Sequence, residues 1–195
     1  TGVEQGREAL DSLARHPSTA RHIARKLARH FVADEPPAAL VARLAKVFSD
    51  SDGDLQKVSA ALIEAPEAWT AQATKLRSPQ EFYIAAMRAL ARKPEAPQIL
   101  GPLNAMGQPL WQPSGPNGFA DTVATWATAE GMKTRLDVAA AIARQVAPGA
   151  VDPRSIVDGI LGDHASNETR AAVARAESKP QALALFLMSP EFQRR

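Results

Sequence analysis

Residues 106–126 read MGQPLWQPSGPNGFADTVATW, and what flanks them reads differently. Before Leu100 and after Asp121 the chain is a succession of short, Ala-rich segments with apolar residues at helical spacing. Between Gly101 and Asp121 stand Gly101, Gly107, Gly115 and Gly118, with Pro102, Pro109, Pro113 and Pro116, the residue types that interrupt helices. The same window carries Met106, Leu110, Trp111 and Phe119, with Trp126 just beyond. A solvated linker has no use for side chains of that size, whereas a long loop that packs its own apolar residues does. The sequence therefore predicts an all-α fold, an irregular bundle of about nine short helices interrupted by one long ordered Gly/Pro-rich loop. The expected organisation is a single helical domain over residues 1–195, with a first helical group at 1–100, the loop at 101–121 and a second helical group at 122–195.

Downstream of the loop, Met132, Leu136, Ala139, Ile142, Ala143 and Val146 describe a long helix ending near Pro148-Gly149. Asp152-Pro153 starts another, which Gly162 stops; Asn167 is placed to cap a further helix, and Ser178-Lys179-Pro180-Gln181 opens the segment LALFLM. Upstream, Ser78-Pro79-Gln80-Glu81 is a strong start signal, with Ser78 as cap, Pro79 in the first turn and Glu81 closing a capping box. That helix is expected to reach about Arg92, with a short apolar turn leading from Pro97 into the loop. Further upstream, residues 4–15 form a first helix with Val3, Leu10, Leu13 and Ala14 as its inner face. Ser18 or Thr19 caps a second running to about Val32; Leu40, Val41, Leu44, Val47 and Phe48 mark a third, and Leu55, Val58, Leu62 and Ile63 a fourth. No segment shows sustained period-two alternation of β-branched residues, so no strand is expected.

One joint recurs. Ala65-Pro66-Glu67-Ala68-Trp69, Ser78-Pro79-Gln80-Glu81-Phe82 and Ser189-Pro190-Glu191-Phe192 each place Pro at a turn, Glu toward a helix N-terminus and a ring to pack back. Their irregular spacing rules out a solenoid repeat.

Composition limits function more than it reveals it. The chain has 195 residues, 45% hydrophobic and 23% charged, as in ordinary soluble domains. A net charge of +2 is too mild to imply nucleic acid by itself. There is no cysteine, which removes disulfides, thiolate metal sites and cysteine nucleophiles. No apolar run approaches the ~18 residues of a membrane span. GxSxG, the P-loop, GxGxxG and HExxH are absent, no pair of carboxylates stands out for acid–base work, and no residue is assigned a catalytic role. His22 and His30 would lie roughly 12 Å apart along one helix, too far to share an ion. The stretch DSDGD (50–54) starts like a calcium loop, but Leu55 and Ala61 stand where the turn Gly and the closing Glu belong, so the reading is a polar turn with a capping Asp. No metal and no cofactor are expected.

Two surfaces remain. In the second helix, Ile23, Leu27 and Phe31 share a face with Ala20 and Ala24, while Arg21, His22, Arg25, Lys26, Arg29 and His30 fill the other half with no acid before Asp34. As a site, Arg21, His22, Arg25, Lys26 and Arg29 would face an acidic partner or another anion; as plain structure they would pair with Glu4, Glu8 or Asp11, or be solvated. Few aromatic residues lie nearby to stack bases, which disfavours nucleic acid. The loop is the second surface. Trp111, Phe119 and Trp126 either anchor it to the helices or line a groove for a ligand, with Gln108, Asn117 and Asp121 supplying polar contacts.

Five stretches, taken in order, resemble the C-terminal half of the bacterial Domain of Unknown Function 1800 family: HPSTARHIARKLARHFVADEPP (16–37), GDLQKVSAALIEAPEAW (53–69), KLRSPQEF (75–82), MGQPLWQPSGPNGF (106–119) and LFLMSPEFQRR (185–195). The family tends to show Gly-Trp and then a Trp-Leu pair where this chain has Gly118-Phe119 and Trp126-Ala127. The resemblance implies that the chain is the second half of a longer protein, with the missing N-terminal half as one partner, and that it is exported to the periplasm or secreted. It supplies no activity and no catalytic residue. The expectation is a non-catalytic interaction or scaffold module for a protein or envelope partner; the alternative is part of a hydrolase or transferase completed by the missing half.

Overall fold

The computed structural model describes residues 2–69, 74–147 and 149–195. Among them the chain is all-α, with twelve α-helices where about nine were expected, no strand, and one isolated antiparallel bridge between Leu76 and Arg194. The described residues divide into two compact units, one over residues 1–74 and one over 75–195.

The first unit holds α1 (Val3–Arg15), α2 (Pro17–Phe31), α3 (Ala38–Asp50) and α4 (Leu55–Glu64), followed by a 3₁₀ turn at Pro66–Ala68. The first helix forms where expected, but its predicted inner face is not buried: Val3, Leu10 and Leu13 are all exposed. In α2 the cap is His16, whose Nδ1 accepts from the Ser18 amide at 3.1 Å, and neither Ser18 nor Thr19 fills that role. The buried stripe of α2 is Ala20, Ala24 and Ala28, four residues apart, continued by Val32. Small side chains there let α2 close on Leu40 and Leu44 of α3. Phe31, expected inside, is exposed and meets the His30 ring edge-on. Asp54 caps α4 as expected, accepting from the Gln56 and Lys57 amides at 3.0 and 3.2 Å.

The second unit holds α5 (Pro79–Ala89), α6 (Ala96–Ala105), α7 (Val123–Trp126), α8 (Ala129–Arg144), α9 (Pro153–Leu161), α10 (Asn167–Ala174), α11 (Lys179–Met188) and α12 (Pro190–Gln193), with a 3₁₀ turn at Gly162–His164. The Ser78 capping box is present in both directions, with Glu81 N–H to Ser78 Oγ at 3.3 Å and Ser78 N–H to Glu81 Oε2 at 2.8 Å. The segment read as a turn running into the loop is instead α6, with Pro102 inside it. Proline lacks the N–H that the Gln98 carbonyl would accept in a regular helix. The Tyr83 hydroxyl takes that place, donating to Gln98 O at 2.7 Å. The irregular segment therefore begins only after Ala105. Ser166, one residue before the expected Asn167, caps α10. Pro148, expected to stop α8, lies outside the described residues. The core gathers around Phe82, Ala86, Ala139, Phe186 and Leu187, all fully buried, with α8 and α11 packed side by side.

Candidate functional site

Residues 106–122 leave α6, cross the surface without regular structure and re-enter the fold at α7. Met106 is buried in the core at one end and Trp126 is buried at the other. Polar bonds hold the span between them. Gln108 Oε1 accepts from the Gln80 amide on the first turn of α5 at 2.8 Å. Lys75 Nζ, on a side chain 1% exposed, donates to both the carbonyl and Oδ1 of Asp121, each at 2.9 Å. A cleft of about 490 Å³ lies under this segment, within the usual size range of small-molecule sites.

The cleft is lined by the large apolar residues Met106, Phe119 and Trp126. The Phe119 and Trp126 rings lie 6.4 Å apart, inclined at 49°. Its polar lining comes from Gln112, Ser114, Thr125 and Thr128, with Arg135 on α8. Thr128 caps α8 by accepting from the Gly131 amide at 3.0 Å. Gly131 is required there, because a Cβ would lie 2.8 Å from the Trp126 carbonyl oxygen, and that close approach seats α7 on the start of α8.

Behind the cleft lies a network of cations. Arg135 is 1% exposed; its Nη1 donates to Gln193 Oε1 at 3.0 Å and its Nη2 to the Arg77 carbonyl at 2.7 Å, and the guanidinium sits over the Phe82 ring. Burial pulls its pKa down to about 10, against a smaller opposing pull from Glu81. Arg77 donates to the Phe192 carbonyl and lies over the Phe192 ring. Burial lowers its pKa as well. The end of the chain is laced to the same strip: Arg77 N–H to Gln193 O at 2.8 Å, Arg195 N–H to Lys75 O at 3.0 Å, and Gln193 Nε2 to Leu187 O at 2.7 Å. Arg195 pairs with Glu81 at 2.9 Å.

Of the loop residues singled out from sequence, Phe119 and Trp126 line the cleft together. Trp111 and Asp121 do not. Trp111 stands outward, 90% exposed, with φ at 59°, a left-handed conformation that is costly for a bulky residue. Asp121 is committed to Lys75. Elsewhere, Arg21, His22, Arg25 and Lys26 are exposed on α2 and Arg29 is half-buried. Arg25 and Arg29 share one carboxylate, at 3.0 and 3.1 Å, and it belongs to Glu35 rather than to α1. Sequence reading missed Lys75, Arg77, Arg135 and Gln193. Arg135 left one signal, since it falls on the same helical face as Val138, Ala139 and Ile142. Among the described residues no three His, Asp or Glu side chains converge as a metal site would need, and no helix is long and apolar enough to cross a membrane.

A family model described as "Protein of unknown function (DUF1800)" matches residues 1–194. The chain belongs to this family. Comparison with curated proteins and with solved structures returns no match. The DUF1800 match runs through both compact units and across the cleft.

Proposed function

We propose that this DUF1800 chain is a non-catalytic binding module of an exported bacterial protein, and that it engages a protein or envelope partner at the cleft under residues 106–122. The observation that carries this is the combination of an aromatic cleft and an exposed, left-handed Trp111 on the segment that covers it. Exposed aromatic residues of this kind supply much of the energy at binding surfaces, and backbone strain is retained where a side chain must be held in one place. The groups around the cleft suit binding: neutral hydrogen-bonding side chains with one buried cation among the lining residues. A hydrolase or transferase reading would draw instead on carboxylates or histidines, and none is among the described residues that line it. The periplasmic or secreted location rests on the family resemblance.

A photo-crosslinking side chain at position 111, introduced into the protein in its native host, tests this. The expected result is one dominant adduct that disappears when Phe119 is changed to Ala. Adducts that are diffuse, or unchanged by Phe119→Ala, would overturn the reading.

A further inference from the structure

We infer that the cleft receives the anionic group of an organic acid with an apolar body, and that Arg135 supplies the opposing charge. This rests on the reading of the cleft as a ligand site. Lys75 and Asp121 neutralise each other at 2.9 Å. That leaves Arg77, Arg135 and Arg195 with Glu81 as the carboxylate acting on all three. Glu81 is already engaged, accepting from Ser78 N–H at 2.8 Å and pairing with Arg195 at 2.9 Å. Arg135 makes no ion pair among the described residues; both its hydrogen bonds go to neutral oxygens, Gln193 Oε1 and Arg77 O.

A buried cation with only neutral acceptors is costly unless an anion approaches it. Arg135, 1% exposed, is among the residues that line the cleft. The first turn of α8, at Thr128 and Gly131, also lines the cleft and adds the positive end of a 16-residue helix. The rest of the wall decides what kind of anion fits. An inorganic ion at Arg135 would leave Met106, Phe119 and Trp126 facing water, whereas an aliphatic or aromatic body would cover them. A free carboxylic acid and the carboxyl terminus of a peptide share this chemistry.

Calorimetric titration of the unmodified chain separates the possibilities. The probes are phenylacetate, phenylacetamide, inorganic phosphate, and N-acetyl-Leu-Phe with a free or amidated terminus. Phenylacetate is expected to bind at least tenfold more tightly than the isosteric amide and than phosphate. The free dipeptide should likewise exceed its amide, and whichever acid binds more tightly identifies the source. Phe119→Ala should weaken acid and amide by the same factor, and Arg135→Gln should remove the preference for the acid. Arg135 also holds Gln193 and the Arg77 carbonyl, so the acid–amide comparison, which needs no substitution, stands if Arg135→Gln does not fold. Equal binding of acid and amide overturns the inference while leaving the cleft as a site. Phosphate binding as tightly as phenylacetate overturns the apolar body. Binding of none of the probes overturns this inference, while crosslinking from position 111 decides separately whether the cleft is a partner site.

Discussion

Phe82 and Phe192, each set just inside a Ser-Pro helix start, meet edge to face, with ring centroids 6.4 Å apart and planes at 83°. Phe192 also meets Phe186 at 4.8 Å and carries the Arg77 guanidinium over its ring at 5.1 Å. The recurrent joint thus does more than turn the chain, because it closes the second unit by bringing its last residues onto its first. Phe192→Ala should cost about 3–5 kcal/mol, the range for a buried aromatic truncated to Ala. Urea denaturation followed by circular dichroism checks this; a loss under about 1 kcal/mol would mean that the closure contributes little.

Glu191 belongs to the same joint but serves a different helix. Its carboxylate accepts from the Ser166 amide at 2.9 Å and from the Thr169 hydroxyl at 2.8 Å, at the N-terminus of α10. Burial pushes its pKa up, the hydrogen bonds from Ser166 and Thr169 outweigh that, and the result is a pKa of about 2. A carboxyl more acidic in the folded than in the unfolded state adds stability above its unfolded pKa and loses it as pH falls toward the folded value. Glu191→Gln should therefore destabilise by about 1–3 kcal/mol at pH 7. The gap from the unmodified chain should narrow between about pH 5 and pH 2. Parallel urea titrations across that interval decide it, and a gap independent of pH would remove the charge from the account.

Tyr83 and Pro102 are coupled through a single carbonyl. The Tyr83 hydroxyl serves Gln98 O because Pro102 cannot. Tyr83→Phe should cost about 1–3 kcal/mol in the native background. In a Pro102→Ala background the restored amide can take over Gln98 O, so the same change should cost measurably less. A double-mutant cycle measures the difference. Additivity within about 0.3 kcal/mol would show that the hydroxyl does not substitute for the missing amide.

The helical class was legible because local signals agreed with one another: apolar spacing, Asp54 and Ser78 as caps, Pro79 and Pro153 in first turns, Gly162 as a stop. What was not legible depended on contacts distant in sequence. Pro102 reads as a helix breaker until Tyr83, nineteen residues earlier, is seen to repair the bond. The spacing of Leu10 and Leu13 predicts a stripe but cannot say whether anything covers it. In the candidate site, large apolar residues drew the reading to the loop, and of them Phe119 and Trp126 line one cleft. Residue type could not separate Trp126, turned inward, from Trp111, turned outward. Arg135 is found only when its partners, Gln193 and the Arg77 carbonyl, are brought together by folding.

The basic face of α2 is weaker as a site than its spacing implies, since Glu35 already meets Arg25 and Arg29. Changing Arg21, Arg25 and Arg29 together to Glu should lower stability by no more than about 1 kcal/mol per lost pair, because exposed pairs contribute little. If the face receives an acidic partner, the same change should abolish retention on a heparin column at low salt. Unchanged retention would leave α2 as a solvated surface.

Trp111 offers the sharpest separation of structure from function. At φ 59° it bears a backbone cost of about 1–2 kcal/mol that glycine would not. Its ring, 90% exposed, returns little of that within the chain. Trp111→Gly should therefore leave stability unchanged or raise it by about 1 kcal/mol, the added freedom of glycine in the unfolded chain offsetting part of the relief. Trp111→Ala removes the ring and keeps the strained backbone, so its stability should stay within about 0.5 kcal/mol of the parent. Both changes should weaken partner capture alike, because both remove the ring. Urea denaturation and partner capture, measured on the same preparations, test the two halves independently. A loss of several kcal/mol in Trp111→Gly would make the ring a structural anchor, and undiminished capture by both variants would detach Trp111 from binding.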